Sequence, residues 1–114
     1  KAGHAYVPAG NLDLCVEAFA VSAAPPRSRY VPSADRLLET LGHSHGRQSI
    51  GVVLSGMGGD GAAGLAELAR SGGRALCQLP ASAVVSSMPE TALRTVPGAR
   101  AVSPPELPAA VLEG

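Results

Sequence analysis

Asp60 sits in the glycine-crowded turn "GMGGDGAAG", between the apolar run "IGVVLS" and a helical stretch. A carboxylate at that place invites two kinds of chemistry. As the residue before a helix it is a favoured N-cap, and its charge suits the positive end of the helix dipole. As a charge at the carboxyl end of a parallel strand it stands where open α/β sheets gather their ligand and catalytic sites. The surrounding glycines let other backbone come close and expose amide N–H groups able to stabilise an oxyanion. Both uses are compatible.

Gly56, Gly58 and Gly61 also match the G-x-G-x-x-G dinucleotide pattern. That pattern wants an acid about 20 residues further on, at the end of the second strand, to hold a ribose. Here that strand ends in Gln78 and Leu79. Asp60 would moreover place a negative charge where a phosphate belongs. No nucleotide cofactor is expected. His43 and His45 form an H-x-H pair without a nearby third ligand, so no metal is expected either; near a helix C-terminus they suit the dipole. His4 reads as solvated, and Ser82, Ser86 and Ser87 as residues of helix starts.

These side chains need positioning elements. "HAYVPAGNLDLCVEAFAV" reads as two extended runs around a Pro8–Asn11 turn, a β-hairpin within residues 1–23. Residues 33–114 read as α/β units. Ser33 caps a helix from about Ala34, with Asp35 in its first turn, Leu37, Leu38 and Leu41 on one face, and Gly42 and Gly46 bracketing its end. The β-branched "IGVVLSG" predicts a strand covered on both faces. A helix from Ala62 follows, with Leu65 and Leu68 inward and Gly72 as its stop, then a strand in "GRALCQL". Strand, helix and strand with short joints predict a βαβ unit and a parallel sheet. Pro89 opens a short helix, and Ser103 and Glu106 have capping-box spacing for a last one, opposed by Pro105 and Pro108.

At 114 residues the chain is one domain at most. Nine basic residues balance nine acidic ones without clustering, which argues against a nucleic-acid surface or a polybasic membrane patch. No apolar run is long enough to span a bilayer, and no signal-peptide pattern opens the chain. Cys15 and Cys77 lie in apolar, strand-like runs and read as reduced, buried and structural, in a cytoplasmic protein.

"VLSGMGGDGAAGLAEL" resembles the signature of the chemotaxis protein-glutamate methylesterases of the CheB type, with Ser55 where that family carries a threonine. "HAYVPAG", "PSADRLLETLG" and "CQLPASAVVSSMPETAL" resemble three further family segments in the same order, the last through Gln78, Ser82, Met88, Pro89 and Ala92. The resemblance implies an α/β three-layer sandwich with a mostly parallel, Rossmann-like sheet and an N-terminal β-hairpin. It implies hydrolysis of γ-glutamyl methyl esters on the cytoplasmic helices of chemotaxis receptors, with glutamine deamidation as a second activity. It implies a Ser-His-Asp triad that works without a cofactor. Carried over by position, Asp60 is the triad acid and the Met57 backbone N–H an oxyanion donor. The family's Gly-x-Ser-Thr-Gly-Gly-like serine loop and its Gln-His pair do not occur in this sequence. The expectation is therefore the C-terminal part of the domain, inactive alone, with the N-terminal part as partner and an exposed strand edge that favours oligomers. A non-catalytic interaction module on the same scaffold is the alternative, and a nucleotide-binding half-domain a third. Ser87 replaces a family glycine, Leu79 and Pro80 stand where an acid often follows the glutamine, and Leu12 stands near a family histidine.

Overall fold

A computed structural model describes residues 2–18 and 20–113. Its elements are β1 (Asp13–Glu17), β2 (Ala20–Ala24), α1 (Ala34–His45), β3 (Ile50–Val53), α2 (Ala62–Arg70), β4 (Arg74–Gln78), α3 (Ser87–Thr95), β5 (Arg100–Val102) and α4 (Leu107–Leu112). Strands β3, β4 and β5 form a parallel sheet in that order, and β1 pairs antiparallel with β2.

The sheet sorts its residues by the two-residue period of a strand. Val53, Ala75 and Cys77 turn to a core shared with Leu38 of α1, Leu65 and Leu68 of α2, and Ala92 and Val96. Leu76 and Val102 turn the other way, onto Ala110 and Leu107 of α4, with Ile50 and Val52 beside them. Helices thus cover both faces of the sheet, which is why β3 and the middle of β4 are apolar. Cys15 and Cys77 are free and buried, and burial pushes the Cys77 thiol up.

Two expectations change and one strand is added. The hairpin turns between Glu17 and Ala20, which pair with each other, rather than at Pro8–Asn11. Residues 4–9 form no strand; a Leu12 N–H bond to the Ala9 carbonyl closes a turn just before β1. Pro8 contributes no ladder donor there, whereas β1 gains cover from α1, whose Thr40 hydroxyl accepts the Val16 N–H. Ala18 takes φ +52°, as two-residue hairpin loops require positive φ. Gly42 lies inside α1 and does not end it, because a Cβ there would stand 2.6 Å from the Leu68 Cα. Finally, β5 is a third parallel strand, too short for a periodic signal. Edge strand β3 leaves one side unpaired among the described residues, with Leu54 half exposed beyond it.

Candidate functional site

The turn from β3 to α2 holds both residues singled out from the sequence, and the two ends of this turn are held by different helices. Asp60 is buried, at 9% exposure. Its carboxylate does not cap its own helix. Oδ2 accepts the Ala34 N–H at 2.7 Å, and Oδ1 accepts the Asp35 N–H at 3.1 Å and the Ser33 hydroxyl at 3.2 Å. All three donors belong to the start of α1. Ser33 remains that helix's N-cap, accepting the Arg36 N–H at 3.3 Å.

The service is returned in the opposite direction. The N-cap of α2 is Gly61, at φ +107°, with no side chain to give. Two amides of this helix start go to Asp35, whose Oδ1 accepts the Gly61 N–H at 2.9 Å and the Gly64 N–H at 2.7 Å. α1 is capped by the aspartate of the turn that leads into α2, and α2 by an aspartate of α1, in the favourable sense of both dipoles. Close approach makes this feasible: a Cβ on Gly64 would stand 2.6 Å from the Asp35 Cα.

A third carboxylate anchors the array to the hairpin. Asp13 of β1 is fully buried; its Oδ1 accepts the Ser33 N–H at 2.8 Å, and its Oδ2 meets Arg36 at 3.1 Å. The Ser33 N–H first, and then the Arg36 guanidinium, hold its carboxyl below the usual range against the opposing effect of burial.

The other end of the turn is tied to the segment before and at the start of α3. Gln78 Oε1 accepts the Ser55 N–H at 2.8 Å, and its amide donates to the Ser82 hydroxyl at 3.2 Å. The Ser55 hydroxyl bonds both backbone groups of Val85. The Gly56 N–H goes to the Val85 carbonyl and the Gly58 N–H to the Ser87 hydroxyl. In the run Ser55–Gly58 the Met57 N–H alone has no partner among the described residues, and its side chain is 79% exposed. The structure brings Asp60 and Met57 into one turn, but no hydrogen bond joins them.

The remaining candidates lie elsewhere. His43 bonds Glu67 at 3.3 Å, His45 meets the Ser44 hydroxyl at 2.9 Å, and His4 bonds the Ala2 carbonyl. Among the described residues no three His, Cys, Asp or Glu side chains gather as for a metal. Sequence reasoning missed Asp35 and Asp13 at this site. The one available signal was negative: a helix opening on "GAAG" has no capping side chain of its own after Asp60, so its amides must find an acceptor elsewhere.

The sequence matches the family model described as CheB methylesterase over residues 1–111. The chain belongs to the CheB methylesterase family. Protein-glutamate methylesterase/protein-glutamine glutaminase of Chromohalobacter salexigens is 37% identical over 97% of this chain and 33% of its own length. The protein of that name from Thiobacillus denitrificans is 39% identical over 97% of this chain and 33% of its own. The chain spans about a third of the length of these curated relatives. The crystal structure of the Thermotoga maritima CheB methylesterase catalytic domain aligns with a TM-score of 0.72 over 89% of this chain and 56% of that one, at 21% identity, a likeness of fold.

Two serines of this CheB-family chain tie down the turn. Ser87 donates to the Gly56 carbonyl at 3.1 Å while accepting the Gly58 N–H at 3.1 Å, so it stitches the turn around Met57. Ser55 supplies the hydroxyl that a threonine would, bonding Val85. No helix among the described residues is long and apolar enough to cross a membrane.

Proposed function

We propose that this chain is the C-terminal, acid-bearing part of a protein-glutamate methylesterase catalytic domain acting on methylated helices of chemotaxis receptors in the cytoplasm, with glutamine deamidation as its second activity. The observation that carries the reading is the state of the Asp60 carboxylate. It is buried and fixed by three donors from one direction. An ionised carboxylate has about four lone-pair sites, so one remains for a further donor. A triad acid needs that arrangement: it must be immobile, charged, and able to accept the N–H of a histidine so as to fix its tautomer and stabilise the imidazolium.

In this mechanism a serine oxygen attacks the γ-carbonyl of the methyl ester as the histidine takes its proton. The tetrahedral oxyanion accepts a hydrogen bond from the Met57 N–H, the backbone donor left unengaged between two occupied neighbours. Collapse expels methanol, protonated by the imidazolium, and water then releases the glutamate by the same route. The serine and histidine come from the remainder of the catalytic domain. The unpaired side of β3, flanked by Leu37, Val52, Leu54 and Met88, is the face on which that remainder docks.

Methanol release from methylated receptor helices tests this. The full-length protein is expected to release methanol and the 114-residue chain alone to release none. Mixing the chain with a separately made N-terminal part should restore the activity. Activity of the purified chain alone would contradict the reading, since no serine in it has a triad partner by sequence.

A further inference from the structure

We propose that Asp35 is a positioning residue for hydrolysis: it keeps Asp60 aimed at the active site by occupying the helix terminus that Asp60 would otherwise cap. The inference rests on the reading of Asp60 as the triad acid.

Asp60 directly precedes Gly61, the N-cap residue of α2, and aspartate is among the best capping residues. Left to local preference, its carboxylate would fold back onto the first amides of its own helix. Two of those amides, at Gly61 and Gly64, are taken. Asp35 Oδ1 holds the Gly61 and Gly64 N–H groups at 2.9 and 2.7 Å. The same residue's backbone N–H donates to Asp60 Oδ1 at 3.1 Å. Asp35 therefore acts on Asp60 twice. It blocks the competing orientation with its side chain and supports the observed one with its backbone. Its position is fixed in turn by α1, whose Ser33 cap and Ala34 N–H complete the Asp60 cradle.

Removing the Asp35 carboxylate leaves two amides of α2 without an acceptor, and Asp60 is the nearest carboxylate in sequence to supply one. A swing of that kind moves the acid by an ångström or more from the histidine. Misplacement on this scale costs about 10²-fold in rate. The substrate-binding surface is untouched, so the loss falls on kcat rather than KM.

The experiment is steady-state methanol release by the full-length protein carrying Asp35→Ala, Asp35→Asn, Asp60→Asn, or Asp35→Ala with Asp60→Asn. Asp35→Ala is expected to lower kcat about 10²-fold with KM unchanged. Asp35→Asn, which keeps an acceptor oxygen, should stay within several-fold of the parent. In the Asp60→Asn background, Asp35→Ala should cost no further turnover while still lowering the melting temperature. Asp35→Ser, polar but too short to reach both amides, replaces the alanine variant if that one does not fold. A folded Ala or Ser variant with normal kcat overturns the proposal, as does an undiminished kcat loss in the Asp60→Asn background. Normal turnover of Asp60→Asn itself would instead overturn the triad reading, so the two failures are told apart.

Discussion

The two ends of the β3–α2 turn are built on opposite plans. The Asp60 end is buried and held by side-chain carboxylates exchanged between two helices. The Met57 end is exposed and held by backbone and hydroxyl bonds to the segment around α3, with one N–H left over. An acid must be fixed and shielded to act on a histidine, because charge interactions strengthen as water is excluded. An oxyanion donor must face the space where substrate arrives. In the proposed function one turn serves both needs, its Asp60 end held by the start of α1 and its Met57 end by Val85 and Ser87.

Breaking the Asp60 end should have the larger effect. In the full-length protein, Asp60→Asn is expected to lower kcat by about 10⁴, by analogy with the equivalent change in a serine protease triad. The folded state should persist, since asparagine also accepts at a helix start. Methanol release together with a thermal melt reads both. Gly64→Ala comes next: its Cβ would press on the Asp35 Cα at 2.6 Å. Overpacking of this kind costs about 1–3 kcal/mol, and turnover should fall with it, because the added methyl displaces Asp35. Urea unfolding and kcat measured on one preparation check the pair.

The buried Asp13 gives a pH-dependent signature. Its folded pKa lies below the ordinary 3.8, so its contribution to stability is present above that value and is lost as pH falls through the folded pKa. The stability gap between the parent and Asp13→Asn should be constant near neutrality and shrink below about pH 4. A gap that widens on acidification would contradict this. Smallest is Ser87→Gly at the Met57 end. It removes two hydrogen bonds of ordinary strength, about 1 kcal/mol each. It should loosen the Met57 arm and leave the Ala34 and Asp35 amides unchanged by NMR.

Much of this frame was legible in the sequence, for physical reasons. "IGVV" and "ALC" are apolar because both faces of their sheet are covered, and Leu65 and Leu68 follow the helical period that buries them. Ser33 announces α1 because capping is a local event within four residues. The exchange between Asp35 and Asp60 was hidden because it spans about 25 residues and depends on how closely two helices cross. Spacing alone makes Asp60 the cap of its own helix. Gly42 and Gly64 carried the missing information, but a glycine in a helix signals close approach only once its neighbour is known. The hairpin misled because Pro8 to Asn11 has turn composition, whereas the pairing is set by the strand that α1 covers.

The exchange of caps is tested most directly by the amide proton shifts of the two helix starts in Asp60→Ala, read by NMR against the parent. The Ala34 and Asp35 amides should move upfield as they lose their carboxylate acceptor, while the Gly61 and Gly64 amides, held by Asp35, stay in place. Movement of the α2 amides with Ala34 and Asp35 unchanged would mean that Asp60 caps its own helix, and the account of how this site holds its acid would be wrong.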